Sequence, residues 1–315
     1  MVQPGARTRT RLGSWFVAWR GGGFDAAERT LTSPLARRQP AGRVIYWFLF
    51  VVLMLATLST VFPLFWMFVG GLKQSAEIFR SPPTLWPEIP RWDNYPTAWN
   101  HLNYTRYFRN TMLIALGAWF FQLFVASTAA YSLSKLRPVF GRVVFFAFLT
   151  TLMVPTTAYL IPQYLTVLDV PILGWRLVDT WWAIWLPGAV SAFNIYLLKS
   201  FFDEIPVDLT DAAVIDGASA WQIFVQIILP LSKPVLAVTS IFALISTWKD
   251  FFWPLLVLPS AELQPITVAL YRLTGTEPLN LAVAGLAIAS IPPLVIFLIF
   301  QRQIISGITL TGLKG

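Results

Sequence analysis

Few residues in this sequence could carry chemistry, and their types narrow what that chemistry is. There is no cysteine and a single histidine, His101, beside Asn100 and close to Asn103. Disulfides, thiolate metal sites and cysteine nucleophiles are excluded, and His101 reads as a loop residue, so no metal site is expected. The phosphate loop G-x-x-x-x-G-K-S/T, H-E-x-x-H and G-x-S-x-G are all missing from the sequence. If the protein runs on ATP, the nucleotide must therefore be held by another chain. Two groups of ionisable residues remain. Asp203, Glu204, Asp208, Asp211 and Asp216 cluster between two apolar segments, and a polyprenyl-linked glycosyltransferase would need such carboxylates facing the membrane surface. Trp248-Lys249-Asp250-Phe251 sets two charges inside another apolar run, where charge is costly and marks a cavity, a partner or a pathway. Adjacent helical residues point about 100° apart, so Lys249 and Asp250 need not pair. A self-sufficient secondary transporter with an interrupted helix would use them; equally, Asp250 pins an interhelical contact while Lys249 snorkels.

The elements that must position these groups are membrane-spanning. The chain has 315 residues, 56% hydrophobic and 12% charged, with a mean hydropathy of +0.63, too apolar for an ordinary soluble domain. Six apolar runs reach about the 20 residues needed to cross roughly 30 Å of hydrocarbon. They are Ile45–Val69, Asn110–Leu133, Val143–Leu168, Thr180–Leu198, Pro234–Leu258 and Leu279–Phe300. Each is continuous rather than alternating and longer than a barrel strand of about ten residues, so an all-α membrane protein is expected. Pro63, Pro155, Pro162, Pro187 and Pro292-Pro293 should kink or break these helices. Fifteen Trp and twenty-five Phe suit aromatic belts and lipid-facing packing.

Charge orients the spans. Residues 1–43 hold eight Arg against Asp25 and Glu28 and read as a basic cytoplasmic tail. They are no cleavable signal peptide, because the first apolar run starts only near Ile45 and is too long. With both termini cytoplasmic, fifteen of the 23 basic residues fall inside and seven outside. The net charge of +8 thus lies at membrane flanks rather than in a nucleic-acid patch. The predicted organisation is a tail over 1–43, a transmembrane body over 44–301 with a cytoplasmic loop at 200–233, and a C-terminal tail over 302–315. The outer loop Gly70–Arg109, rich in Pro and aromatics, suits either sugar stacking or a packed interface with a neighbour or the headgroup belt.

The loop at 200–233, between the fourth and fifth spans, has the local grammar of two short helices and a sharp turn. Asp208 is expected to cap the first helix, with Asp211 one turn in, where the dipole favours negative charge. Gly217 is suited to the left-handed conformation that ends it, Ser219 to capping the second helix, and Pro230 to stopping it. Trp221, Phe224, Val225 and Ile228 fall at helical spacing as one apolar stripe, fit to dock on a partner or to rest on lipid headgroups.

Asp211-Ala212-Ala213, two residues, Asp216-Gly217-Ala218, eight residues, then Ile227, Leu229 and Pro230 resembles the EAA signature loop of ABC importer permeases. Asp211 stands where that family usually has Glu, which keeps the charge. The resemblance runs from about Ile45 to Gly315 and narrows to the carbohydrate branch typified by the smaller permease of the maltose importer. Arg109-Asn110-Thr111, Ala129-Ala130-Tyr131, Val154-Pro155, Ile161-Pro162, Asn194-Ile195-Tyr196-Leu197 and Gly312-Leu313-Lys314-Gly315 support it in that order. Trp248-Lys249-Asp250-Phe251 is similar to the family's Trp-Asn-Asp-Phe segment, with Lys249 replacing Asn.

The resemblance implies type I ABC importer permease architecture: six transmembrane helices and a cytoplasmic helix-turn-helix coupling loop. It implies a bacterial or archaeal inner membrane, and a non-catalytic subunit that imports a sugar by alternating access. The implied partners are a homologous second permease, two ATP-binding subunits carrying ATP and Mg, and an extracytoplasmic sugar-binding protein. ATPase coupling would fall to Asp211, Ala212, Ala213, Asp216, Gly217, Ala218, Trp221, Ile227, Leu229 and Pro230, with Gly312 to Gly315 reaching between the ATPases. Asn194, Tyr196, Trp248, Lys249 and Asp250 are the pathway candidates.

Overall fold

The structure, a computed structural model, describes residues 40–101, 103–273 and 275–311. Most of the basic tail and the Gly312-Leu313-Lys314-Gly315 ATPase contact lie outside the described residues. The described elements are helical, in two compact units divided after Pro63.

Helix α1 (Pro40–Gly70) runs through Pro63. In the first unit every large apolar side chain from Val44 to Leu55 is exposed, a surface whose natural solvent is hydrocarbon. The second unit begins at Leu64 and contains α2 (Asn94–His101), α3 (Tyr104–Tyr131), α4 (Gly141–Thr151), α5 (Thr156–Leu168), α6 (Trp182–Gly188), α7 (Ala192–Glu204) and α8 (Val207–Ile215). It continues with α9 (Ala220–Ile223), α10 (Lys233–Lys249), α11 (Phe252–Val257), α12 (Ile266–Leu273) and α13 (Leu279–Thr311). Helix α3 is its axis, touching α6, α7, α10 and α12.

Among the described residues three stretches are long and apolar enough to cross a membrane uninterrupted: α1, α3 with its π extension to Leu136, and Leu279–Gln301 of α13. The other expected spans are broken, each beside a proline. The run Val143–Leu168 is not one helix but the pair α4 and α5, bent by 107°. The first helix ends at Thr151, and Pro155, extended at ψ 136°, takes the cap position of α5. The run Thr180–Leu198 divides after Pro187-Gly188, and Ser191 restarts it by accepting the Asn194 N–H at 3.3 Å. The run Pro234–Leu258 stops at Lys249. Pro254 lacks the N–H that would bond the Asp250 carbonyl, which accepts from Thr267 Oγ1 at 2.8 Å instead. By contrast α5 and α13 run through Pro162 and Pro292-Pro293.

The second span starts at Tyr104, six residues before the predicted Asn110, because the buried Tyr104 ring packs with Ala98, Ile266, Leu270, Ala284 and Ile288. The segment Gly70–Arg109 is tied to the bundle by specific bonds. Asn94 Nδ2 donates to the Gly71 and Lys73 carbonyls at 2.9 and 3.0 Å, Tyr95 Oη donates to Phe68 O at 2.6 Å, and Asn280 donates to Asn94 Oδ1 at 3.1 Å. Tyr95, Trp99 and Tyr107 pack against the chain's own core. The buried Lys73 ammonium donates to the Thr84 carbonyl and lies 4.4 Å from the centre of the Trp66 ring. His101 faces Glu277 at 3.2 Å.

Candidate functional site

The loop after Glu204 folds as two short helices held on the end of the bundle. Helix α8 follows Pro206, which takes the cap position; Asp208 sits inside the first turn and caps nothing. That corrects the expected Asp208 cap, since a proline N-terminal to the helix already sets the chain direction and has no N–H to satisfy. The exposed Asp208 carboxylate still lies in the first turn, where the dipole favours it, whereas Asp211, the fifth helical residue, lies beyond that turn.

The turn between the helices is a Schellman motif. The Gly217 N–H donates to Val214 O at 3.0 Å and the Ala218 N–H to Ala213 O at 2.9 Å, the pair of bonds that defines the motif. It requires Gly217 at φ +83°, while a Cβ there would meet nothing within 4 Å. Glycine is thus demanded by the backbone and not by crowding. Ala213 and Ala218 close the motif inside the apolar cluster. Ser219 then makes a full capping box: its N–H donates to Gln222 Oε1 at 2.7 Å and its Oγ accepts the Gln222 N–H at 3.3 Å.

Past Ile223 the helix widens to a π turn over Phe224–Ile228 and continues through Pro230 to Leu231. Pro230 therefore does not stop it. Its missing N–H falls at the start of the Leu229–Leu231 turn, where little is lost, and the chain turns at Ser232 into α10, an 82° bend. The π turn inserts extra residue length into the cycle, and the expected apolar stripe splits. Phe224 and Ile228 point inward, at 3% and 0% exposure, with Ile223; Trp221 and Val225 remain outside at 59% and 41%.

Two surfaces result. The inner one is fixed to α3, α7 and α10 through Tyr131, Ile195, Leu198, Phe202, Ile205 and Val235. Tyr131 Oη donates to the Ala220 carbonyl at 2.9 Å, and its ring lies 5.0 Å from that of Phe224. Lys135 Nζ donates to the Ile205 carbonyl at 2.7 Å, tying the loop's root to the end of α3. The outer surface exposes Val214 and Ile215 at 60% and 86% beside Trp221. Asp208, Asp211 and Asp216 are exposed on it and have no hydrogen-bonding or ionic partner among the described residues. Of the coupling residues expected from sequence, Ala213, Ala218, Ile227 and Leu229 belong to the inner surface; Asp211, Ala212, Asp216, Gly217, Trp221 and Pro230 are exposed. Ile223 and Ile215 were not singled out from the sequence, which carries no sign of the π turn that places Ile223 inward with Ile228.

The pathway candidates do not form one group. Asn194 and Lys249 line a cleft of about 290 Å³ with Gln122, Ser191, Phe242 and Ser246. Gln122 donates to the Gly188 carbonyl at 3.1 Å, where α6 breaks. Lys249 is exposed and makes no hydrogen bond or ion pair among the described residues. Trp248 is buried against Phe108, ring centres 5.5 Å apart. Tyr196 stacks on Phe145 outside the cleft. The Asp250 carboxylate lies beside the backbone N–H groups of Phe251 and Trp253 at the start of α11. Gln122, Ser191 and Ser246 escaped sequence reasoning, although an amide in an otherwise apolar span was a usable signal. Among the described residues no group of three or more His, Cys, Asp or Glu is placed to hold a metal ion.

Residues 122–309 match the family described as binding-protein-dependent transport system inner membrane component. The arabinooligosaccharides transport system permease protein of Bacillus subtilis (strain 168) is 31% identical, covering 89% of this chain and 100% of the relative. The lactose transport system permease protein of Rhizobium radiobacter is 30% identical over 81% of this chain and 92% of its own. Among solved structures, a chain of a bacterial ABC transporter involved in the import of the acidic polysaccharide alginate superposes with a TM-score of 0.75 at 25% identity. The match covers 84% of this chain and 98% of that one.

Proposed function

We infer the function from one premise: the chain belongs to the family of binding-protein-dependent transport system inner membrane components. It is a multi-pass inner-membrane protein and the non-catalytic permease subunit of a sugar ABC importer, working with ATPase and binding-protein partners. The glycosyltransferase and secondary-transporter readings are set aside on this ground.

Within that frame α1, α3, the α4–α5 pair, α6 with α7, α10 with α11, and α13 make six crossings, with both termini cytoplasmic. The partners are a homologous second permease and two ATPase subunits, which hold ATP and Mg between them. The substrate is a di- or oligosaccharide, in line with the arabinooligosaccharide and lactose relatives. The α8–α9 loop is the coupling element. Closure of the ATPases moves it, and its fixed inner surface passes that movement to α3, α7 and α10. Those helices line the cleft of Asn194, Gln122 and Lys249, which turns its opening from one side of the membrane to the other. Such coupling needs two discrete arrangements favoured by different contacts, and a rigid docked loop transmits them.

The observation that carries this reading is the two-sidedness of the loop: an inner surface bonded into the bundle and an outer one with exposed Ile215, Trp221 and unpaired carboxylates. Because the chain has no cysteine, Ile215→Cys supplies a unique thiol. In the assembled transporter it should crosslink to an ATPase subunit with an efficiency that changes when ATP binds. If the introduced thiol remains freely reactive to soluble thiol reagents whether or not the ATPases are bound, the coupling role is contradicted.

A further inference from the structure

The turn between α3 and α4 closes a second cleft, which the transport cycle above does not use. It holds about 860 Å³, with Arg137, Arg142, Lys199 and Asp203 along its polar side and Val139 and Phe146 on its apolar side. Lys199 and Asp203 are bonded at 2.6 Å, and the other Asp203 oxygen accepts from Ser134 Oγ at 2.6 Å. Their charges cancel, and two guanidinium groups are left over. Arg137 commits only Nε, to the Ser134 carbonyl at 3.2 Å, and Arg142 has no hydrogen-bonding or ionic partner among the described residues. Uncommitted guanidinium forks match a phosphate group in both shape and charge.

The apolar side narrows the ligand further. Val139 and Phe146 are 94% and 67% exposed, beside helices that continue into the apolar α4–α5 pair. A small soluble anion would gain nothing from such a wall, whereas acyl chains would cover it. Basic clefts at the mouths of spanning helices, flanked by exposed apolar surface, suit acidic lipids.

We propose that this cleft binds the headgroup of an anionic phospholipid, Arg137 and Arg142 holding the phosphate while Val139 and Phe146 meet the acyl chains. The site adjoins the root of the α8–α9 loop. Ser134 and Lys199 hold Asp203 at the end of α7, and Lys135 holds the Ile205 carbonyl two residues on. A bound headgroup therefore stiffens the base from which the loop projects. This consequence rests on the coupling role proposed above; the binding itself does not.

Native mass spectrometry of the assembled transporter, supplied with phosphatidylglycerol, phosphatidylethanolamine or inorganic phosphate alone, tests it. Phosphatidylglycerol should be retained, phosphatidylethanolamine should not replace it, and millimolar inorganic phosphate should not displace it. Arg137→Ala with Arg142→Ala should weaken retention roughly thirtyfold, whereas Arg137→Lys with Arg142→Lys should keep most of it. Phe146→Asp, which adds a repelling charge at an exposed position, should also release the lipid and serves if the alanine pair fails to assemble. Equal retention of phosphatidylethanolamine, displacement by inorganic phosphate, or undiminished retention in these variants would overturn the proposal. Since lipid retention is read without transport, its failure is distinguishable from failure of the coupling role.

Discussion

Replacing Gly217 separates backbone demand from crowding at the loop's turn. The residue holds φ +83° and has no neighbour within 4 Å of where a Cβ would stand. Alanine therefore meets no clash and costs only its strain in the left-handed region, about 1–2 kcal/mol. Asparagine, which tolerates that region better, should cost less. Proline is locked near −65° and has no N–H for the 3.0 Å bond to Val214 O, so the Schellman turn cannot form. Its cost of about 3 kcal/mol or more lowers the population of the native loop by roughly two orders of magnitude. The assay is the ratio of ATP hydrolysed to sugar imported by the assembled transporter in proteoliposomes, with membrane insertion and subunit recovery measured alongside. Insertion should be unchanged, and the ratio should rise in the order Gly, Asn, Ala, Pro. A proline variant with the wild-type ratio, or an alanine variant as uncoupled as proline, would refute the reasoning.

Other substitutions divide the loop's two surfaces and probe the cleft. Phe224→Ala, at a buried ring packed on Tyr131, should cost about 3–5 kcal/mol and lower the melting temperature of the purified permease. Trp221→Ala, at a side chain 59% exposed, should leave that temperature within a degree or two, since surface changes fall within about 0.5 kcal/mol, while weakening ATPase recovery on co-purification. Tyr131→Phe removes only the bond to the Ala220 carbonyl, worth about 0.5–1.5 kcal/mol, and should raise exchange of the α9 amides measured by hydrogen–deuterium exchange. Lys249→Met should raise the KM for uptake roughly tenfold or more, the loss of one charged hydrogen bond, with ATPase recovery unchanged; radiolabelled sugar uptake reads it.

The architecture could be read in part from sequence because apolar runs report their own length. The runs near Ile45, Asn110 and Leu279 became unbroken helices. Hydropathy alone does not show the breaks in the other three, because a proline withholds a donor without lowering apolarity; Pro155 and Pro187 announced two of them by residue type, whereas the break before Pro254 was not read. Gly217 and Ser219 were readable for the opposite reason, since their bonds are local and specified by residue type. The inward turn of Phe224 and Ile228 was not, because helical spacing presumes a 3.6-residue cycle and the π turn alters it. Nor could one sequence show that Asn110 and Thr111 fasten a distant segment. Asn110 Nδ2 donates to the Glu262 and Gln264 carbonyls at 2.6 and 3.1 Å, and Thr111 Oγ1 accepts the Ile266 N–H at 2.9 Å. The Asn194–Lys249 cleft likewise depends on packing between α3, α7 and α10 that periodicity does not encode.

Uptake of labelled oligosaccharide into proteoliposomes tests the central claim most directly, comparing this permease reconstituted alone with the full assembly, with and without ATP on the ATPase side. Uptake is expected only from the full assembly, only with ATP and Mg, and only with the sugar-binding protein on the opposite face. Sustained uptake by the permease alone, or by the assembly without ATP, would contradict it.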